Sequence, residues 1–184
     1  IEDTCLRCHG VMGQREFHKD NPGQLYTRSH LDDPTSKYGA LSRDGVSCAV
    51  CHRIAAKDLG TPATYTGLFN LDPPNQINGP SSDPPTVPMR NALGMTPLGA
   101  PHIKSSALCG SCHQIVLPVY RADGTRQTDA NGQPKTITEQ STYFEWLNSS
   151  FADNGATPKT CQDCHMRNDF DGNPLSFKIA NIED

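Results

Sequence analysis

The sequence predicts one domain that is mainly irregular, with short α-helices and little β-structure, whose interior the polypeptide does not fill by itself. Three observations lead there. Hydrophobic residues make up only 35 % of 184 positions, and Gly and Pro number 15 each, poor material for a protein-only core of that size. Residues 72–85, "DPPNQINGPSSDPP", exclude a helix or a central strand. All eight cysteines fall in copies of one five-residue pattern, Cys-x-x-Cys-His.

The copies are Cys5-Leu6-Arg7-Cys8-His9, Cys48-Ala49-Val50-Cys51-His52, Cys109-Gly110-Ser111-Cys112-His113 and Cys161-Gln162-Asp163-Cys164-His165. With 8 Cys and 7 His, chance would supply one copy in about one such sequence in a hundred. The spacing is that of covalent c-type haem attachment. Two thioethers form to the vinyl groups, and the adjacent histidine supplies the proximal iron ligand. Paired zinc sites have no use for a His after every second Cys. A redox dithiol calls for one CxxC near a βαβ pattern. Structural disulfides need no His at all. Four covalently attached haem c groups are therefore expected, with Cys5, Cys8, Cys48, Cys51, Cys109, Cys112, Cys161 and Cys164 as anchors. His9, His52, His113 and His165 are the proximal ligands. Each haem then has 46 residues to cover it, so the expected fold is a haem-cored multihaem cytochrome c domain. The apoprotein is expected to be unfolded or nearly so, because the macrocycles supply the burial that offsets chain entropy.

Along the chain, residues 1–184 read as a single tetrahaem domain. Sites I and II lie in 1–56, a Pro-rich loop spans 57–101, and sites III and IV lie in 102–184. The loop is expected to drape over haems at the surface. Residues 103–112 read as a short helix running into site III. Residues 115–138 read as a hairpin, with turn signals at Asp123-Gly124 and Asn131-Gly132. Residues 139–152 are the strongest helix candidate. Tyr143, Trp146, Leu147 and Phe151 recur there near helical spacing and are expected to pack on a haem. Residues 169–173, "DFDGN", echo a calcium loop, but the later Glu is at the wrong spacing, so a plain turn is expected.

Three histidines remain, His18, His30 and His102, and are expected as distal iron ligands. If 103–112 is helical, His102 lies about 10 Å along the axis from Cys109, suited to a neighbouring haem rather than that of site III. Four haems offer eight axial positions and seven histidines fill at most seven. One iron therefore takes another ligand, has an open face, or borrows a His from another chain. Met95 and Met89 are the methionine candidates, Met95 first. Met12 is too near His9 to cross that haem easily, though it could serve another, and Met166, which directly follows a proximal His, ranks last.

The formal charge of −4, without a Lys/Arg cluster, excludes nucleic acid as a partner. No apolar run approaches a membrane span. The expected partners are redox proteins, other cytochromes or further copies of the chain. Haem thioethers are normally made after export, which places the protein in the periplasm or at the cell surface. The chain starts as a processed or trimmed piece would, since residue 1 is not Met and Cys5 is already a haem cysteine.

With these residues the chain resembles the multihaem c-type cytochromes of the nitrifier tetrahaem type, which share a haem-packing motif with multihaem nitrite and hydroxylamine enzymes. "DGVSCAVCH" is similar to a second or third site of that family, and "LCGSCH" and "TCQDCHM" to later sites of larger relatives. The resemblance covers the four motifs. It implies three bis-His haems and one iron that can be five-coordinate. Size, haem count and loop content also resemble extracellular tetrahaem cytochromes that polymerise into conducting filaments. The expected function is transfer of single electrons along four haems, with an electron carrier favoured over an enzyme. The alternatives are a subunit of an extracellular filament or larger multihaem assembly, and a small reductase or oxidase of a nitrogen or sulfur compound at one open iron.

Overall fold

In a computed structural model, residues 1–167 are described, with the backbone of 169–170 and 173–174. Short helices dominate and β-structure is confined to two-stranded pairs, as composition predicts. The N-terminal part is helical: α1 (Glu2–His9), α2 (Val11–Asp20), α3 (Arg28–Asp32), α4 (Lys37–Arg43) and the single turn α5 (Cys48–Cys51). Ser36 caps α4 by accepting from the Tyr38 and Gly39 N–H groups. Helices α2 and α4 lie close because Gly13 has no side chain. A Cβ there would run into Ser42 Oγ and the Tyr38 carbonyl. Ser42 sits in the resulting seam. Its hydroxyl donates to the Gly10 carbonyl at 3.2 Å and lies 2.8 Å from the Tyr26 hydroxyl.

Apolar burial is modest and split. One cluster joins Leu6, Phe17 and Tyr26, flanked by Leu31 and Tyr38. The other joins Val11, Val50, Ile54, Phe69 and Leu108, with Met12, Cys51 and Cys112 packed against it. The second cluster draws one or two residues from each of several distant segments, so it ties the chain together without giving any helix a wide apolar face.

Segment 57–101 departs from the expected surface loop in two ways. Strand β1 (Gln76–Gly79) pairs in parallel with β2 (Thr96–Gly99), in register from Gln76↔Thr96 to Gly79↔Gly99. Helix α6 (Thr86–Leu93) makes the crossover and ends at Gly94, whose φ of +67° suits a glycine C-cap. Prolines are tolerated here because both strands are edges. In addition, Thr64, Tyr65, Thr66 and Phe69 are buried. Thr66 N–H donates to the Gln114 carbonyl at 2.9 Å and Gly67 N–H to the Ser111 carbonyl at 2.8 Å. Long-range backbone bonds, invisible to periodicity, pull this stretch inside.

The helix expected at 103–112 is divided. A 3₁₀ turn, Pro101–Lys104, precedes α7 (Ser106–His113), whose N-cap Ser105 accepts from Ala107 N–H. The expected hairpin is present as β3 (Ile115–Pro118) antiparallel to β4 (Thr136–Gln140). The chain between them folds back again through bridges Tyr120↔Arg126 and Thr128↔Pro134. Gly124 and Gly132 take the positive φ of its two tight turns. Helix α8 (Thr142–Leu147) is shorter than the expected 139–152, because β4 takes residues 139 and 140 and Asn148 caps the far end. Helix α9 (Cys161–His165) opens on a capping box between Thr160 and Asp163. Backbone pairing joins β5 (Asp169–Phe170) to β6 (Asn173–Pro174) antiparallel. The Asp171-Gly172 tip of the expected turn lies outside the described residues. Among those described, no helix is long and apolar enough to cross a membrane.

Replacing Gly13 by Ala sets two effects against each other. Helix propensity favours Ala by roughly 1 kcal/mol, whereas overpacking against backbone costs typically ~1–3 kcal/mol. Because the Tyr38 carbonyl cannot rotate away, net destabilisation is expected. A lowered urea midpoint for Gly13→Ala checks this; an unchanged or raised midpoint refutes the tight α2–α4 crossing.

Candidate functional site

Each CxxCH occupies one of four short helices: α1, α5, α7 and α9. In helical geometry the residues at i, i+3 and i+4 share a face. Each helix therefore sets two thiols and an imidazole side by side. In α5 the histidine is the C-cap, and its N–H still closes the turn on the Cys48 carbonyl at 3.1 Å.

Three of the motifs neighbour one another at their thiols: Cys8 of site I lies beside Cys112 of site III, and Cys109 of site III beside Cys161 of site IV. Cys51 of site II packs on the same apolar cluster as Cys112. None of the eight cysteines pairs in a disulfide. Gly67 fits between sites I and III. Its φ is +73°, and a Cβ there would strike Arg7 and approach Cys8 Sγ. Site IV is fastened to site III by polar bonds. Cys161 N–H donates to Ser106 Oγ at 3.0 Å, and Gln162 Nε2 donates to the Ile103 and Ser105 carbonyls at 3.0 Å each. Burial, with the Cys161 and Cys51 thiols beside it, pushes the Cys109 thiol up to about 12. The neighbouring Cys8 thiol and burial also push Cys112 up, while Cys8 is lowered chiefly by Cys112, against burial.

Sites III and IV open onto one cavity of about 570 Å³, lined by Cys109, His113, Tyr143, Trp146, Phe151, Cys161, Cys164, His165 and Met166. Its size falls within the roughly 300–1,000 Å³ range of ligand pockets. Tyr143 and Trp146 stack with centroids 5.6 Å apart and planes inclined by 16°. Gly110, between the two cysteines of site III, admits the Tyr143 ring, which any Cβ there would meet. Of the four residues singled out in sequence, the aromatics Tyr143, Trp146 and Phe151 reach this wall and Leu147 is exposed outside it.

The histidines divide by environment. His9, His113 and His165 are exposed and His52 is half-buried. His52 Nδ1 donates to the Asn78 carbonyl at 2.5 Å, which leaves the Nε2 lone pair free. His113 Nδ1 receives a long contact, 3.5 Å, from Gln140 Nε2. His18 Nε2 meets Asp3 Oδ1 at 2.6 Å, and His102 Nε2 donates to the Ile54 carbonyl at 2.8 Å, two residues beyond site II. His30 Nδ1 accepts from Thr27 N–H at 3.1 Å, and its ring packs between Phe17 and Tyr26. Met95 and Met89 are half-buried in segment 57–101, away from the III/IV cavity; Met12 packs on the larger cluster, and Met166 lines the cavity.

Two residues absent from the sequence reading join the site: Asp3, which holds His18, and Asn78, whose carbonyl holds His52. Neither has a local signal, because the partners are 15 and 26 residues away. Asp3 is buried, which alone would raise its pKa, but bonds from His18, Tyr26 N–H and Gln14 lower it overall. Among the described residues no three His, Cys, Asp or Glu side chains converge as a site for a lone metal ion. Comparison with protein-family models, with curated proteins and with solved structures found no match.

Ser106 is 1 % exposed, and its hydroxyl anchors α9 to α7. Ser106→Ala should cost ~0.5–1.5 kcal/mol for the lost bond and speed amide exchange at Cys161–His165 relative to α1. Unchanged exchange there would show that α9 is held by other contacts.

Proposed function

We propose that this chain is a tetrahaem c-type cytochrome that passes single electrons, of the multihaem kind its motifs resemble. The observation that carries the reading is that every CxxCH sets its two cysteines and histidine on or at the end of a short helix, with sites I, III and IV neighbouring one another at their thiols and Cys51 of site II packed on the same apolar cluster as Cys112. The residues fit the cofactor. A flat macrocycle needs two sulfurs and an imidazole on one side, and the i, i+3, i+4 arrangement supplies them. It needs apolar and aromatic cover, and the cavity between α7 and α9 offers Tyr143, Trp146 and Phe151.

Bound haem supplies one-electron redox chemistry; the chain supplies attachment, orientation and burial. Cys5 with Cys8, Cys48 with Cys51, Cys109 with Cys112, and Cys161 with Cys164 would hold the four groups. His9, His52, His113 and His165 would be the proximal ligands. Asn78 keeps His52 in the tautomer that presents Nε2. Gly67 and Gly110, by lacking a side chain, let the faces approach their neighbours. Thioether attachment after export supports the periplasm or cell surface as its place, and one-electron transfer calls for a redox protein as partner.

Intact mass should show four covalent haems, and a thiol assay on the holoprotein should find no reactive cysteine; any free thiol would remove at least one haem from the count. Protein produced without haem ligation is expected to lack a cooperative thermal transition, since its apolar clusters hold five and three buried residues. A sharp calorimetric transition in that apoprotein would overturn the haem-cored fold.

A further inference from the structure

A second cavity, of about 460 Å³, lies between α1, α2 and residues 67–70, lined by Asp3, Arg7, Gln14, Arg15 and His18 among others. Asp3 and Arg7 are four apart on α1 and form an ion pair of 3.6 Å. At about 100° per residue, they face away from Cys5, Cys8 and His9, so this cavity is behind site I. The buried Asp3 carboxylate is saturated with donors. Its Oδ1 accepts from His18 Nε2 at 2.6 Å, Tyr26 N–H at 3.1 Å and Gln14 Nε2 at 3.4 Å, and Oδ2 faces Arg7. A carboxylate in that position is an acceptor only. His18 therefore donates through Nε2, and the lone pair of its neutral ring is on Nδ1.

We propose that Asp3 is a positioning residue that holds His18 so that its Nδ1 is the axial ligand of a haem iron other than that of site I. This rests on the tetrahaem reading. Histidine ligands commonly give their second N–H to a carboxylate, which fixes the tautomer and raises the basicity of the ligating nitrogen. A more basic ligand and a nearby negative charge favour the ferric iron, so Asp3 lowers the potential of the haem that His18 serves. Asp3 touches no reacting atom and acts only through the imidazole.

The test uses the holoprotein and its Asp3→Asn, Asp3→Glu, Gln14→Leu and His18→Ala variants. Haem mass, redox titration and electron paramagnetic resonance are read on each. Asp3→Asn should keep four haems and raise one potential, leaving the other three in place. Asp3→Glu, which keeps the charge, should move that potential less. Gln14→Leu, which removes the longest of the donors to Asp3 but keeps the carboxylate and its His18 bond, should move that potential less than Asp3→Asn does. His18→Ala should turn the same haem high-spin and CO-binding. In wild type with ¹⁵N at histidine Nδ1, pulsed resonance should show an iron-bound Nδ1 that disappears in His18→Ala, a readout independent of how well the Asp3 variants fold. The proposal is overturned if Asp3→Asn shifts no potential or all four together. It is equally overturned if Gln14→Leu reproduces the shift, or if the iron-bound Nδ1 is missing or survives in His18→Ala. A wild-type count other than four haems would instead sink the tetrahaem reading.

Discussion

The structure depends on one local constraint: two cysteines and a histidine must share the face of a helix that is too short to be stable alone. Helices of four to eight residues are marginal in water, since nucleation is costly and little propagation follows. Each motif helix is accordingly held from outside. Helix α7 is central to that support. Its Ser111 carbonyl anchors Gly67 against site I, its Leu108 joins Val50 of α5 in the larger cluster, and its Ser106 hydroxyl holds the start of α9. Sites I, II and IV are tied to α7 by different means: site I through the intervening Gly67, site II by an apolar contact and site IV by a side-chain bond.

The small extent of apolar packing has the same origin. Residues that would fill a core in an ordinary domain of this length are replaced by Gly, Pro and polar loop residues. Large apolar side chains such as Leu25, Val46, Leu93 and Phe151 stay exposed. What burial exists is concentrated behind the motif faces, at Val50 inside site II and Leu108 just before site III. The faces themselves, with Cys5, Cys48 and Cys164 exposed, stand available. The wall of Tyr143 and Trp146 shows the same division of labour. It stacks ring on ring and presents a flat aromatic surface to the cavity.

Legibility in the sequence follows the range of the interactions. The motifs were readable because their pattern spans five residues, and the hairpin because Asp-Gly and Asn-Gly turns are local signals; a helix at a motif was expected only at site III. Segment 57–101 was not, because its order comes from bonds to residues about fifty positions away, such as Thr66 to Gln114 and Val116. The helix expected over 139–152 was cut short by strand pairing at Gln140, where tertiary context overrode periodicity. Asp3 and Asn78 were invisible as second-rank supports, since nothing in their immediate neighbours distinguishes them from any surface Asp or Asn.

The three histidines expected as distal ligands, grouped together by sequence, are separated by their hydrogen bonds. A backbone N–H can only donate, so Thr27 N–H on His30 Nδ1 requires that nitrogen to be unprotonated and places the neutral ring's proton on Nε2. His30 thus has Nδ1 engaged by Thr27 N–H and Oγ1 and the ring proton on Nε2, so ligation through Nδ1 would require releasing the Thr27 cap and ligation through Nε2 would require that proton to leave. His18 and His102 have the opposite arrangement, with Nε2 donating to Asp3 or to the Ile54 carbonyl and Nδ1 left with its lone pair. The histidine count of seven against eight axial positions was a statement about number alone. The hydrogen bonds add a statement about atoms: two distal candidates are presented for coordination as they stand, and the third is held as a helix cap packed on Phe17 and Tyr26. The cost of freeing it sets His30 apart from the other two.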